Sequence, residues 1–248
     1  MNNLIEQLQQ EFSNVESFTR KELNDFFCRY EPDLKETTFR WRIYDLKQKK
    51  ILNTLGRGLF SLDFKPVFKP EETLLEQKIS NDIRNQFYDL KYCVWTTQML
   101  HGLMLHLPGK SITILEVEKD ALEIVFNYLK DSYSNVYLKP DEKEIERYVS
   151  SNDNALVIQS LVTKAPIQKI NKIPTSTLEK LIVDVYSDSD LFSAYQGTEL
   201  VHIVNTAIDK YNIDYTKLMS YSKRRGKEDG ILAFLKNKTN APKEVLHD

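Results

Sequence analysis

The chain has 248 residues, 41% of them hydrophobic and 28% charged, with a formal net charge of −2. That composition fits a folded protein of one large or two ordinary domains and excludes a disordered chain. No apolar run approaches the roughly 20 residues of a membrane helix, and the polar start MNNLIEQLQQEF is unlike a signal peptide. With only Cys28 and Cys93, and no CxxC, the thiols suit a reducing compartment, so a cytoplasmic protein without a membrane partner is expected.

Leu4, Ile5, Leu8 and Phe12 recur at helical spacing. Ser17 and Thr19 offer cap oxygens to a second helix, in which Leu23, Phe26 and Phe27 face inward. Beyond Pro32 a third helix puts Phe39, Ile43 and Leu46 on one face. KKILNTL and GLFSLDF then have the character of strands, with Gly56 and Gly58 permitting a tight turn around Arg57. Three short helices and a β-hairpin predict a winged helix-turn-helix over residues 1–68. Pro66 and Pro70 mark a boundary, and residues 69–91 are expected to form a linker helix.

The remainder, 92–248, alternates between strand and helix. YCVWTT, SITILEVEK, NVYLKP and NALVIQSL suit strands; QMLHGLMLHL, DALEIVFNYLKDS and DEKEIERYV suit helices. From Pro174 onward the pattern is helical. The expected fold class is α+β: an N-terminal winged helix-turn-helix, followed by a mixed α/β domain ending in a helical bundle.

The third helix carries the functional signal. Residues 29–57 hold eight basic and four acidic side chains within a nearly neutral chain, which favours a localised anionic partner. With Phe39, Ile43 and Leu46 buried, about 100° per residue places Thr37, Trp41, Tyr44 and Gln48 on the opposite side, beside Thr38 and Arg40. Arginine forks to guanine, glutamine bridges adenine, and aromatics and threonine methyls touch thymine methyls or sugars. Arg57, between two glycines at the hairpin tip, suits a minor groove or a phosphate. The expected partner is double-stranded DNA, and the expected contacts are Lys35, Thr37, Thr38, Arg40, Trp41, Arg42, Tyr44 and Arg57.

The second part offers less chemistry. ILEVEKD resembles the strand of restriction-type nucleases, which needs a carboxylate and then a lysine on the same face. Here Glu116 and Glu118 share a face while Lys119 points the other way. Asp188 and Asp190 follow a helix without the Gly-Ser loop of a nucleotidyltransferase. His101 and His106 are five apart, a poor spacing for a shared metal, and His202 fits a core face. No P-loop, GxSxG or GxGxxG occurs. The expectation is no catalytic residue, no metal and no cofactor. A basic knot, Lys223, Arg224, Arg225 and Lys227, lies at a helix end that favours cations. It suits either a solvated terminus or a contact with nucleic acid or another partner. Two alternatives stay open: a metal-dependent nuclease using Glu116 and Glu118, and a winged-helix adaptor that binds protein.

The chain also shows, after its winged helix, VWTT (94–97), ILEVEKDALEIVF (114–126), NVYLKP (135–140), IPTSTLEKLIVDVYSD (173–188), YQGTELVHI (195–203) and YSKRRG (221–226). In this order it resembles the AbiEi-type antitoxins of bacterial phage-defence loci, over most of its length. The resemblance implies a winged helix that binds inverted repeats in the promoter of its own operon and represses it. It implies a C-terminal domain needed for antitoxicity, and a nucleotidyltransferase-like toxin encoded alongside. Such pairs are classed as type IV, without a stable toxin–antitoxin complex. By position, Arg40, Arg42 and Arg57 would contact DNA, and Lys223, Arg224 and Arg225 would form the basic face of the C-terminal domain.

Overall fold

The computed structural model describes residues 2–246. The chain is α+β. The first unit runs α1 (Asn2–Glu11), β1 (Phe18–Thr19), α2 (Arg20–Tyr30), α3 (Glu36–Gln48), β2 (Asn53–Gly56) and β3 (Leu59–Ser61). The strands form an antiparallel sheet in the order β1-β3-β2. The two-residue β1 was not anticipated, because alternation over two residues leaves no pattern. Thr19 caps α2 in a capping box: its hydroxyl accepts from the Glu22 amide at 3.2 Å, and the Glu22 carboxylate accepts from the Thr19 amide at 2.7 Å. Leu8, Phe12, Phe18, Leu23, Phe26, Phe39, Leu46 and Phe60 form one core. Phe12 stacks on Phe18 and Phe27 meets Phe39 edge-on.

The second unit is a three-layer arrangement. Its sheet has the order β4 (Tyr92–Thr96), β5 (Ile112–Val117), β7 (Ala155–Ser160), β6 (Val136–Leu138). β4 runs antiparallel to β5, while β5, β7 and β6 are parallel. Every residue of β4 and β5 is buried, as helices on both faces require. Val94, Leu115, Val117, Leu156 and Ile158 meet α4 (Leu74–Gln86) and α5 (Leu122–Lys130) on one side. Cys93, Trp95, Ile114 and Val157 meet α7 (Leu178–Ser187), α8 (Thr198–Lys210) and α9 (Tyr215–Arg224) on the other. A short α6 (Glu142–Glu144) continues into a π-helical turn before β7, and α10 (Glu228–Lys238) packs on α9.

Three features depart from the sequence reading. The segment expected as a linker helix contributes α4, whose fully buried Ile79 and Ile83 belong to the second unit's core. The expected helix over 98–107 is a 3₁₀ turn, Thr97–Leu103, followed by a loop; Pro108 and Gly109 lie just beyond it. A hairpin of β8 (Ile167–Ile170) and β9 (Ile173–Ser176) was not foreseen. Its turn places Asn171 and Lys172 at positive φ, a conformation marked in sequence chiefly by glycine. No helix among the described residues is long and apolar enough to cross a membrane.

The two units share a seam. The Asn212 amide donates to the Pro66 carbonyl at 2.9 Å, Lys65 Nζ to the Ile208 carbonyl at 2.9 Å, and Asn212 Nδ2 to the Thr54 carbonyl at 3.2 Å. Phe68 is buried in the second core, edge-on to Tyr211. The wing therefore leans on the second unit.

Candidate nucleic-acid interface

α3 is held by Phe39, Ile43 and Leu46, the stripe its periodicity predicts. Lys35, Thr37, Thr38, Arg40, Trp41, Tyr44 and Gln48 are all exposed. Trp41 remains 54% and Tyr44 60% exposed. The helix thus leaves two large aromatics in water next to an arginine. At 1.5 Å per residue its thirteen residues span about 20 Å, a length suited to lying in a major groove.

Between α3 and the wing runs a shallow groove of about 320 Å³, whose lining includes Arg20, Arg40, Lys47 and Arg57. Tertiary contacts set these cations. Glu36 pairs with Arg20 and, one turn along, with Arg40 at 2.7 Å. The Arg20 hydrogen bond, then that of Arg40, holds the Glu36 carboxyl below its usual pKa. Arg20 lies over the Phe39 ring at 4.7 Å, and Lys47 over Phe60 at 5.4 Å. Burial lowers the Lys47 pKa, with Asp214 opposing. Sequence reasoning missed Arg20, Lys47 and the bridging Glu36. The first residue of α2 meets the wing only through folding: the Arg20 amide donates to the Gly58 carbonyl at 2.7 Å.

One expected contact is corrected. Arg42 does not share the exposed face. Its side chain is 15% exposed, pairs with Glu31 and covers the Phe27 ring at 5.0 Å. One residue before the buried Ile43, it falls on the flank facing α2, where its stem and charge fasten α3. Arg57 is exposed, and of its two glycines only Gly56 acts differently from the expectation. Gly58 takes φ +74, which the turn requires. Gly56 is approached by protein: a β-carbon there would meet Thr216 Oγ1 at 2.9 Å. That hydroxyl accepts from the Arg57 amide at 2.8 Å, so the wing tip is latched to the start of α9.

The C-terminal knot divides. Lys223, Arg224 and Lys227 are exposed, with Lys223 3.5 Å from Glu228. Arg225 is turned inward, its Nε 3.4 Å from Asp184 Oδ1. Asp184 belongs to a buried network that the sequence reading did not see. Lys180, fully buried, pairs with Glu116 of β5 and, at 2.5 Å, with Asp184. Tyr221 donates to Asp184 at 2.8 Å and Trp95 Nε1 to Glu116 at 3.2 Å. Burial works against the Lys180 ammonium, but Asp184 and Glu116 outweigh it and hold its pKa above the ordinary lysine value. Burial raises the Glu116 carboxyl, with Lys180 opposing. The available signal was the i,i+4 pair Lys180 and Asp184 inside an otherwise apolar helix.

Glu116 and Glu118 do not converge. β5 ends at Val117, and Glu118 lies beyond it, 3.6 Å from Lys91. Asp188 accepts from the Leu191 amide at 3.2 Å, while Asp190 is exposed. His106 contacts Glu199 at 3.2 Å, His202 contacts Thr206 at 3.2 Å, and His101 lies 3.5 Å from Ser111. Among the described residues, no group of three His, Cys, Asp or Glu side chains is placed to hold a metal ion.

The profile of a family described as "Family of unknown function (DUF6577)" matches residues 38–241, from the first turn of α3 through α10. No curated protein matches the chain.

Proposed function

The chain belongs to the DUF6577 family, whose function is unknown, and we propose that it is a DNA-binding repressor that reads its operator with α3. The observation that carries this reading is the exposed Arg40–Trp41–Tyr44 surface, bordered by the groove of Arg20, Arg40, Lys47 and Arg57. Exposed aromatics and threonines contact bases and sugars, while flanking cations neutralise phosphates. The basic groove next to the wing favours DNA over a protein partner.

Within that reading, the protein acts as the antitoxin and autorepressor of a type IV, AbiE-like toxin–antitoxin phage-defence operon, on inverted repeats in its own promoter. The LEKLIVDVY and YSKRRG blocks support this through their resemblance to AbiEi-type antitoxins. The functional partner is a nucleotidyltransferase-type toxin, and the exposed Lys223, Arg224 and Lys227 are the cations available for antitoxicity. The protein works in the cytoplasm and is not an enzyme. Glu116 supports the non-catalytic part: 3% exposed and neutralised by Lys180, it lies out of reach of a DNA strand.

A promoter–reporter assay with the DNA preceding the protein's own reading frame tests repression. Co-expression with the toxin gene beside it tests protection. Repression lost in Arg40→Ala and Trp41→Ala, with protection retained, is expected. A reporter indifferent to the wild-type protein would overturn the repressor reading.

A further inference from the structure

We infer that the crevice beyond the carboxyl ends of β6 and β7 binds a small phosphate-bearing ligand, with Lys139 and Arg225 as the cations that hold it. Parallel strands in an α/β layer leave such a crevice at their carboxyl ends, where ligands characteristically bind. Here it is a cavity of about 280 Å³, lined by Lys139, Gln159, Ser160, Asp188 and Arg225, with Ile145 and Leu191 as its apolar wall. That volume suits a phosphate with a small organic group and is too confined for a nucleic-acid duplex.

The polar groups are arranged for an anion. Lys139, the first residue after β6, is exposed and has no acidic partner among the described residues. Its backbone takes φ +44, which side-chain-bearing residues seldom adopt. Arg225 reaches the cavity from the end of α9. Its Nε is buried without a hydrogen-bond partner, and Asp184 at 3.4 Å supplies charge without a hydrogen bond. The cavity's carboxylate, Asp188, accepts from the Leu191 amide, and Asp184 behind the wall is paired with both Lys180 and Arg225. The cavity therefore presents Lys139, without an acidic partner among the described residues, and Arg225, whose charge is shared with Asp184, beside the carboxylate of Asp188. Gln159 and Ser160, at the end of β7, add neutral donors.

Isothermal titration of the full chain with inorganic phosphate, pyrophosphate and adenosine monophosphate tests the site. The expected result is saturable single-site binding of at least one of these probes. Lys139→Ala should weaken it about tenfold or more, since a charge-assisted hydrogen bond is lost, while the melting temperature stays unchanged. Arg225→Lys, which keeps the charge near Asp184, should weaken it less than Lys139→Ala combined with Arg225→Lys. Failure of all three probes to saturate, or wild-type binding by Lys139→Ala, would overturn the inference. Neither result bears on operator recognition by α3.

Discussion

Replacing Lys180 with Met should be the most damaging single change in the second unit. The methionine roughly matches the lysine in volume, so the loss is electrostatic. Glu116 and Asp184, 3% and 4% exposed, would keep their positions, Glu116 without its cation and Asp184 with only Arg225 at 3.4 Å. Removing one member of a buried ion pair costs about 3–5 kcal/mol. For a chain of this size, each kcal/mol lowers the melting temperature by roughly 2–4 °C. The expected fall is therefore about 6–20 °C, read by thermal unfolding followed by circular dichroism at pH 7. The effect should depend on pH with a definite sign. Burial already raises the Glu116 pKa, and Lys180 opposes that rise; without Lys180 the folded-state value climbs further. A raised folded pKa gives stability that is present below the unfolded value and lost as pH rises through the folded one. The deficit of Lys180→Met relative to wild type should therefore narrow between pH 7 and pH 5. Adding Glu116→Gln should restore part of the loss by removing one orphaned charge. A melting temperature within about 2 °C of wild type would refute the reasoning, because a loss so small is typical of a surface substitution.

Arg42→Ala should lower stability by about 1–2 kcal/mol, through the lost cation–π contact with Phe27 and the pair with Glu31. Operator sequence preference should stay unchanged, as denaturant unfolding and binding-site selection would show. Gly56→Val places a side chain where Thr216 Oγ1 stands at 2.9 Å, and should loosen the wing from α9 at a cost of about 1–3 kcal/mol. Faster amide exchange across residues 53–61, partly reversed by Thr216→Ala, is the expected readout. Purified protein with magnesium or manganese should leave supercoiled plasmid intact. Cleavage abolished by Glu116→Gln would instead support a nuclease.

What the sequence made legible follows from how each feature is built. The winged helix was visible because Phe39, Ile43 and Leu46, the Thr19 cap and the Gly56-Arg57-Gly58 turn are local patterns. The four sheet strands of the second unit were visible because of apolar runs such as ITILEV, buried on both faces, whereas the β8–β9 hairpin carries no such run. The Arg20–Glu36–Arg40 cluster was not, since Arg20 and Glu36 are sixteen residues apart and meet only through the packing of α2 against α3. The inward turn of Arg225 and the placement of Lys180 beside Glu116 have the same cause: α7 and α9 bring distant charges to one point behind β5. Arg42 was misplaced because a face assigned at 100° per residue leaves flanking residues ambiguous, and the position of α2 resolves them.

The central claim is that α3 reads DNA, and salt-dependent binding tests it most directly. Fluorescence anisotropy would follow the full chain on labelled duplexes tiling the region ahead of its own reading frame, at several salt concentrations. Four groove cations, Arg20, Arg40, Lys47 and Arg57, would displace about four counterions, giving a slope of log K against log salt of roughly −3 to −4. One duplex should bind more tightly than its neighbours, and Arg40→Ala should weaken that binding by about 1–3 kcal/mol with an unchanged circular dichroism spectrum. No salt-sensitive binding to any duplex, or wild-type affinity in folded Arg40→Ala, would contradict the claim.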